Sequence, residues 1–236
     1  MKMNFAKTRY YLSTRFRLIL LAGSALTLAL FGPGVAVADV VAVGDFNGDH
    51  KPDYVLSNFV TQQTGIWYMN NNVFVGGLFG PTLPAGWAVV GVGDFNGDGH
   101  PDFVLQGGDN FQQTGIWYMN NNVFVGALNG PTLPLFWEVM TVGDFNGDGH
   151  PDLVLFNFIT NETGIWYMND NNFVGALSGP TLPVNWQLFG VADFNGDGHP
   201  DFLLRGGAGF QQTGIWYMNN NNFVGALFGP TLPVGW

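Results

Sequence analysis

From residue 39 onward, short apolar runs of four to six residues alternate with clusters of Gly, Pro, Asn and Asp. In one stretch the runs are Trp87–Val92, Asp102–Gln106, Gly115–Met119 and Val123–Leu128, separated by GDGHP, GGDNFQQ, NNN and GPTLP. Runs this short suit strands and are too short for helices. The separators are built from residues that tolerate or impose turn conformations. The succession then comes back at a fixed interval. DFNGD starts at Asp45, Asp94, Asp144 and Asp193, TGIWYMN at Thr64, Thr114, Thr163 and Thr213, and GPTLP at Gly80, Gly130, Gly179 and Gly229. A period near 49 residues points to a propeller, a solenoid or an array.

Four strands per repeat is the content of one propeller blade, and closed rings of blades leave no long exposed edges. A solenoid rung would be shorter, and an isolated 49-residue domain would have a marginal core. The pattern therefore predicts an all-β chain, a β-propeller over 39–236 with blades at about 39–86, 87–136, 137–185 and 186–236. Trp87, Trp137, Trp186 and Trp236 share one repeat position, whose counterpart ahead of the first copy is Ala38. Closure into a four-bladed ring would bring Trp236 to the first copy, where that Trp is missing. The alternative is half of an eight-bladed ring formed by two chains, so the chain is expected as a monomer or a homodimer.

The first 38 residues follow a different pattern. Lys2, Lys7, Arg9, Arg15 and Arg17 precede the apolar run Leu18–Phe31, then Gly32-Pro33-Gly34 and Ala36-Val37-Ala38. This order reads as a secretory signal peptide over 1–38, cut after Ala38, and predicts a secreted protein, extracellular or periplasmic. As a helix the run rises only about 21 Å against a hydrocarbon core of ~30 Å, so no stable membrane span is expected after removal. With the leader gone, Lys51 and Arg205 are the only bases left against all 17 acids, and the formal charge moves from −10 to −15. That balance excludes a nucleic-acid binder acting through phosphate neutralisation. The absence of Cys excludes disulfides, thiolate metal sites and a thiol nucleophile.

Twelve of the acids sit in the DFNGD loops. The second copy reads Asp94, Asn96, Asp98, His100 and Asp102 at positions 1, 3, 5, 7 and 9. The third reads Asp144, Asn146, Asp148, His150 and Asp152, and the fourth Asp193, Asn195, Asp197, His199 and Asp201. Oxygen donors at 1, 3 and 5, Gly at 6 and a backbone carbonyl at 7 follow the arithmetic of the EF-hand loop, with the closing carboxylate at 9 instead of 12. Carboxylate, amide and carbonyl oxygens suit Ca²⁺, whereas Zn²⁺ favours nitrogen and sulfur. The first copy carries Asp45, Asn47, Asp49, Lys51 and Asp53, but His50 stands at position 6, where φ > 0 strains a non-Gly residue. Up to four Ca²⁺ are expected, the Asp45 site weakest.

These residues bring a family into view. W-x-V-x-G-V-G-D-F-N-G-D-G-x-x-D followed by T-G-I-W-Y-M-N resembles the FG-GAP or VCBS type of repeat of bacterial secreted proteins and, more distantly, of the integrin α-subunit head. The resemblance covers all four copies. It implies a β-propeller with calcium in the hairpin between the first two strands of each blade. The Trp-Arg-Asn that often ends the second strand of such repeats is replaced here by Val-Leu-Ser-Asn, Val-Leu-Gln-Gly, Val-Leu-Phe-Asn and Leu-Leu-Arg-Gly.

The residue census argues against an enzyme. All four His lie in the acidic loops, so a Ser-His-Asp arrangement lacks a free His. The acids outside the loops are single-copy residues, and nothing places two of them as a glycosidase pair. A second constellation is aromatic: Trp67, Trp117, Trp166 and Trp216 each precede a Tyr on the third strand and stand near Asn-rich turns. Exposed, these Trp would stack on sugars; buried, they would pack blade on blade. The expected function is a calcium-binding adhesion module for glycans or surface proteins, with a purely structural repeat protein as the alternative.

Overall fold

The computed structural model describes residues 38–233. The expected signal peptide, Ala38 excepted, and Trp236 lie outside them.

Each repeat folds into one antiparallel sheet with its four strands in chain order. The first sheet holds β1 (Ala38–Gly44), β2 (Asp53–Asn58), β3 (Gln63–Asn70) and β4 (Val73–Thr82). The second holds β5 (Ala88–Gly93), β6 (Asp102–Gly107), β7 (Gln113–Asn120) and β8 (Val123–Asn129). The third holds β9 (Trp137–Gly143), β10 (Asp152–Asn157), β11 (Glu162–Asn169) and β12 (Asn172–Thr181). The fourth holds β13 (Trp186–Ala192), β14 (Asp201–Gly206), β15 (Gln212–Asn219) and β16 (Asn222–Thr231). The chain is a four-bladed β-propeller, as the repeat predicts.

The third strand of each blade starts earlier than the apolar pattern suggests. Thr114 is buried, and its hydroxyl donates to the carbonyl of Pro131 at 2.6 Å, which draws Gln113-Thr114 into the sheet. Thr64 and Thr163 do the same toward Pro81 and Pro180. This bond explains the Gly of GPTLP, since a Cβ on Gly80 would lie 2.5 Å from the Thr64 hydroxyl. The crossover after it turns inward, burying Leu83, Leu133 and Leu182. The Asn runs are tight turns between third and fourth strands: Asn71, Asn121, Asp170 and Asn220 have φ of 53–55°, a left-handed conformation that Asn and Asp tolerate.

Blades stack through their first strands, β1 on β5, β5 on β9 and β9 on β13. Alternation puts one side of each sheet against the next blade. Val55 and Ile66 meet Phe103 and Leu105, Val104 and Ile116 meet Leu153 and Leu155, and Val154 and Ile165 meet Phe202 and Leu204. Among the described residues these form three cores, each shared by consecutive blades.

Candidate functional site

The acidic loops join the first and second strand of every blade. In the second copy Asp94 Oδ1 accepts the N–H groups of Gly97 (2.8 Å) and Asp98 (3.1 Å), and its Oδ2 accepts that of Gly99 (2.8 Å). Asn96 Oδ1 accepts from Asp98 and Asp98 Oδ1 from His100, both at 2.9 Å. Asp144, Asn146 and Asp148 make the same bonds, as do Asp193, Asn195 and Asp197. The chain can wrap this tightly because position 6 is left-handed, at φ of 86–87° for Gly99, Gly149 and Gly198. Position 4 is also left-handed (Gly48, Gly97, Gly147, Gly196), which accounts for the Gly of DFNGD.

The acid at position 9 has a different role from those at 1 and 5. Asp53, Asp102, Asp152 and Asp201 are fully buried. One oxygen accepts the N–H of the loop Phe: Phe46, Phe95, Phe145 and Phe194, at 2.9–3.1 Å. The other accepts an N–H of the third strand: Met69, Met119, Met168 and Met218, at 2.9–3.0 Å. The residue is a brace that ties the loop to the blade. Spacing alone does not separate this from ligation, although a lone acid heading an apolar strand already calls for buried partners.

No group of three or more His, Asp or Glu side chains is gathered as a metal cluster among the described residues. A cation at these loops would therefore rest on the carboxylates at 1 and 5, the Asn amide oxygen, backbone carbonyls and water. This hard-oxygen set fits Ca²⁺. The first copy differs. His50 holds φ 64°, its Nδ1 lies 3.8 Å from Asp45 Oδ2, and Lys51 Nζ lies 3.9 Å from Asp49 Oδ2. A basic group thus stands beside the carboxylates of Asp45 and Asp49, where a cation would have to compete with it.

Burial pushes the carboxyls of Asp102 and Asp152 up to about 6; their backbone amides pull the other way, and the loop acids add to the rise. Unfolded, each titrates near 3.8. A raised folded pKa contributes stability below the unfolded value and loses it as pH climbs through the folded one. Metal-stripped protein is therefore expected to lose melting temperature as pH rises from about 4 to about 6. Asp102→Asn with Asp152→Asn should flatten that slope in a calorimetric pH series, and an unchanged slope would refute the assignment.

The strand Trp residues pair with a Phe of the fourth strand. Trp67–Phe74, Trp117–Phe124, Trp166–Phe173 and Trp216–Phe223 have ring centroids 4.7–5.0 Å apart. Trp117, Trp166 and Trp216 are half-buried against the inter-blade cores, whereas Trp67 is 46 % exposed. The Tyr that follows bridges blades. The hydroxyls of Tyr68, Tyr118 and Tyr167 donate to Asn121, Asp170 and Asn220 of the next blade.

The outermost strands are the most apolar exposed surface. β4 shows Val73, Phe74, Val75 and Leu78 to solvent, β8 Val123, Phe124, Val125 and Leu128, β12 Phe173, Val174 and Leu177, and β16 Phe223, Val224 and Leu227. Each is the open edge of its sheet.

A family model described as FG-GAP-like repeat matches residues 45–105, 94–155 and 144–204. No curated protein matches the chain. Among solved structures, a protein of unknown function from Bacteroides caccae is similar at 13 % identity and a TM-score of 0.46, over 84 % of this chain and 62 % of that one. The Photorhabdus luminescens Tc holotoxin pore gives 14 % and 0.39 over 86 % and 12 %. BBS1N, solved in complex with ARL6DN, gives 16 % and 0.37 over 80 % and 56 %. The chain spans less than two thirds of each of these structures.

Proposed function

The chain belongs to the FG-GAP-like repeat family, and from that premise we propose that it is an exported, calcium-braced binding module without catalytic activity, whose outer strands dock on surface-borne proteins. One observation carries this reading: the apolar edge strand, presented once per blade. Monomeric soluble proteins rarely expose contiguous apolar patches of this kind except at interaction sites. Repetition around the propeller multiplies a weak contact by effective concentration. The acidic loops supply a calcium requirement, and the basic, apolar leader supplies export.

Glycan binding is the second reading, favoured by the exposed Trp67–Phe74 pair beside the Asn-rich turn. Labelled protein applied to intact cells with and without calcium separates the two. Binding lost after protease treatment of the cells supports the protein reading, and binding lost after glycosidases supports the glycan one. Val75→Asp, Val125→Asp, Val174→Asp and Val224→Asp together place charge on four valines that are 58–61 % exposed. The combined variant is expected to fold and to lose protein-type binding at least tenfold. Absence of binding under every condition would leave the purely structural reading.

A further inference from the structure

We propose that the first acidic loop is a site of spontaneous covalent modification, where Asn47 closes a cyclic imide with Gly48 and loses ammonia ahead of every other Asn-Gly pair.

Asn followed by Gly is the pair most open to this reaction, because Gly sets no Cβ in the path of ring closure. The Gly nitrogen attacks Cγ of the Asn and forms a new C–N bond. The Cγ–Nδ2 bond breaks, and the proton of the Gly N–H leaves by way of solvent with the departing ammonia. Water then opens the imide at either carbonyl, giving aspartate or isoaspartate. Each loop holds one such pair: Asn47–Gly48, Asn96–Gly97, Asn146–Gly147 and Asn195–Gly196. All are exposed, so access does not separate them.

The loops differ in how the Asn side chain is tied. In every copy the Gly N–H donates to the carboxylate at position 1, at 2.7–2.8 Å. In every copy the Asn Oδ1 accepts the N–H of position 5, at 2.8–2.9 Å. The second, third and fourth copies add a third bond. There Nδ2 of Asn96, Asn146 and Asn195 donates to Oδ2 of the position-5 Asp, at 2.9–3.0 Å. Held at both Oδ1 and Nδ2, those carboxamides cannot turn their carbon toward the Gly nitrogen.

Asn47 makes no such bond to Asp49. The Asp49 Oδ2 that would accept it lies 3.9 Å from Lys51 Nζ, and Lys51 stands where the other copies carry His100, His150 and His199. Asn47 is thus held to Asp49 through Oδ1 alone and is free to turn about that bond. A fifth pair, Asn129–Gly130, closes β8. Its Gly N–H donates to the Thr114 carbonyl at 2.9 Å, so ring closure there would have to open the sheet.

Either product alters the loop. Aspartate sets a further carboxylate between Asp45 and Asp49. Isoaspartate lengthens the main chain by one carbon, and the bonds from Gly48, Asp49 and His50 to Asp45 lose their register.

Peptide mass mapping of purified protein, kept at neutral pH in chelator and sampled over weeks, tests the proposal. Asn47 is expected to convert about fivefold faster than Asn96, Asn146 or Asn195, the factor that one exposed hydrogen bond is worth. Isoaspartyl methyltransferase labelling of the same peptide reads the rearranged product. Lys51→His restores the residue of the other copies and should slow Asn47 to their rate. His100→Lys should raise Asn96 to the rate of Asn47. In denaturant the four loop sites, all within Phe-Asn-Gly-Asp, should converge on one rate. Equal rates in the folded protein, Asn129 ahead of Asn47, an unchanged rate in Lys51→His, or a difference that survives denaturation would each overturn it.

Discussion

Withdrawal of calcium is expected to lower the melting temperature on the order of 20 °C. At free calcium a hundredfold above its dissociation constant, one site stabilises the folded state by about 2.7 kcal/mol, so three comparable sites give ~8 kcal/mol. In a chain of this length each kcal/mol moves the midpoint roughly 2–4 °C. The effect is large because the loops gather acids in a chain whose 39–236 segment carries −15, and in metal-free protein mainly backbone N–H groups offset their mutual repulsion. Scanning calorimetry in calcium, in magnesium and in chelator measures it directly. Asp98→Asn should remove about a third of the calcium-dependent shift. Asp49→Asn should remove less, because Lys51 already lies 3.9 Å from that carboxylate. Equal midpoints in calcium and in chelator would defeat the metal reading of all four loops.

Much of the architecture could be read from the sequence because each repeat states it again. Blade number, strand order and the left-handed turn at Gly99 follow from spacing and from what Gly and Asn tolerate. What spacing could not give was the direction of side chains that share one loop. Asp148 and Asp152 look alike in the pattern, yet Asp148 lies at the exposed rim and Asp152 is sealed beneath it. The Trp-Tyr pair was ambiguous for a related reason. Alternation says that the two face opposite ways, but only the stacking of blades shows that Trp117 packs backward into a core while the Tyr118 hydroxyl reaches Asp170 ahead. The early start of the third strand was hidden because Gln113 and Thr114 are polar. Their place in the sheet depends on an acceptor, the Pro131 carbonyl, that lies 17 residues away in sequence.

The division of labour within the loop leads to the second large effect. Asp152→Ala would leave the N–H groups of Phe145 and Met168 buried and without an acceptor. Each such loss costs roughly 1–3 kcal/mol, so the variant is expected to fall on the order of 10 °C in melting temperature. The loss should appear in calcium and in chelator alike, because the two bonds belong to the folded blade. Asp148→Ala removes an exposed carboxylate whose two acceptor bonds, from the His150 N–H and the Asn146 side-chain amide, stay within the loop. Its metal-free stability should change little while its calcium-dependent shift shrinks. A brace and a ligand thus give opposite patterns across the same two buffers. If Asp152→Ala lost stability only in calcium, position 9 would be a ligand in function despite its two amide partners. The loop would then have to reorganise around the ion, and the sequence-based assignment of Asp53, Asp102, Asp152 and Asp201 to the metal would stand.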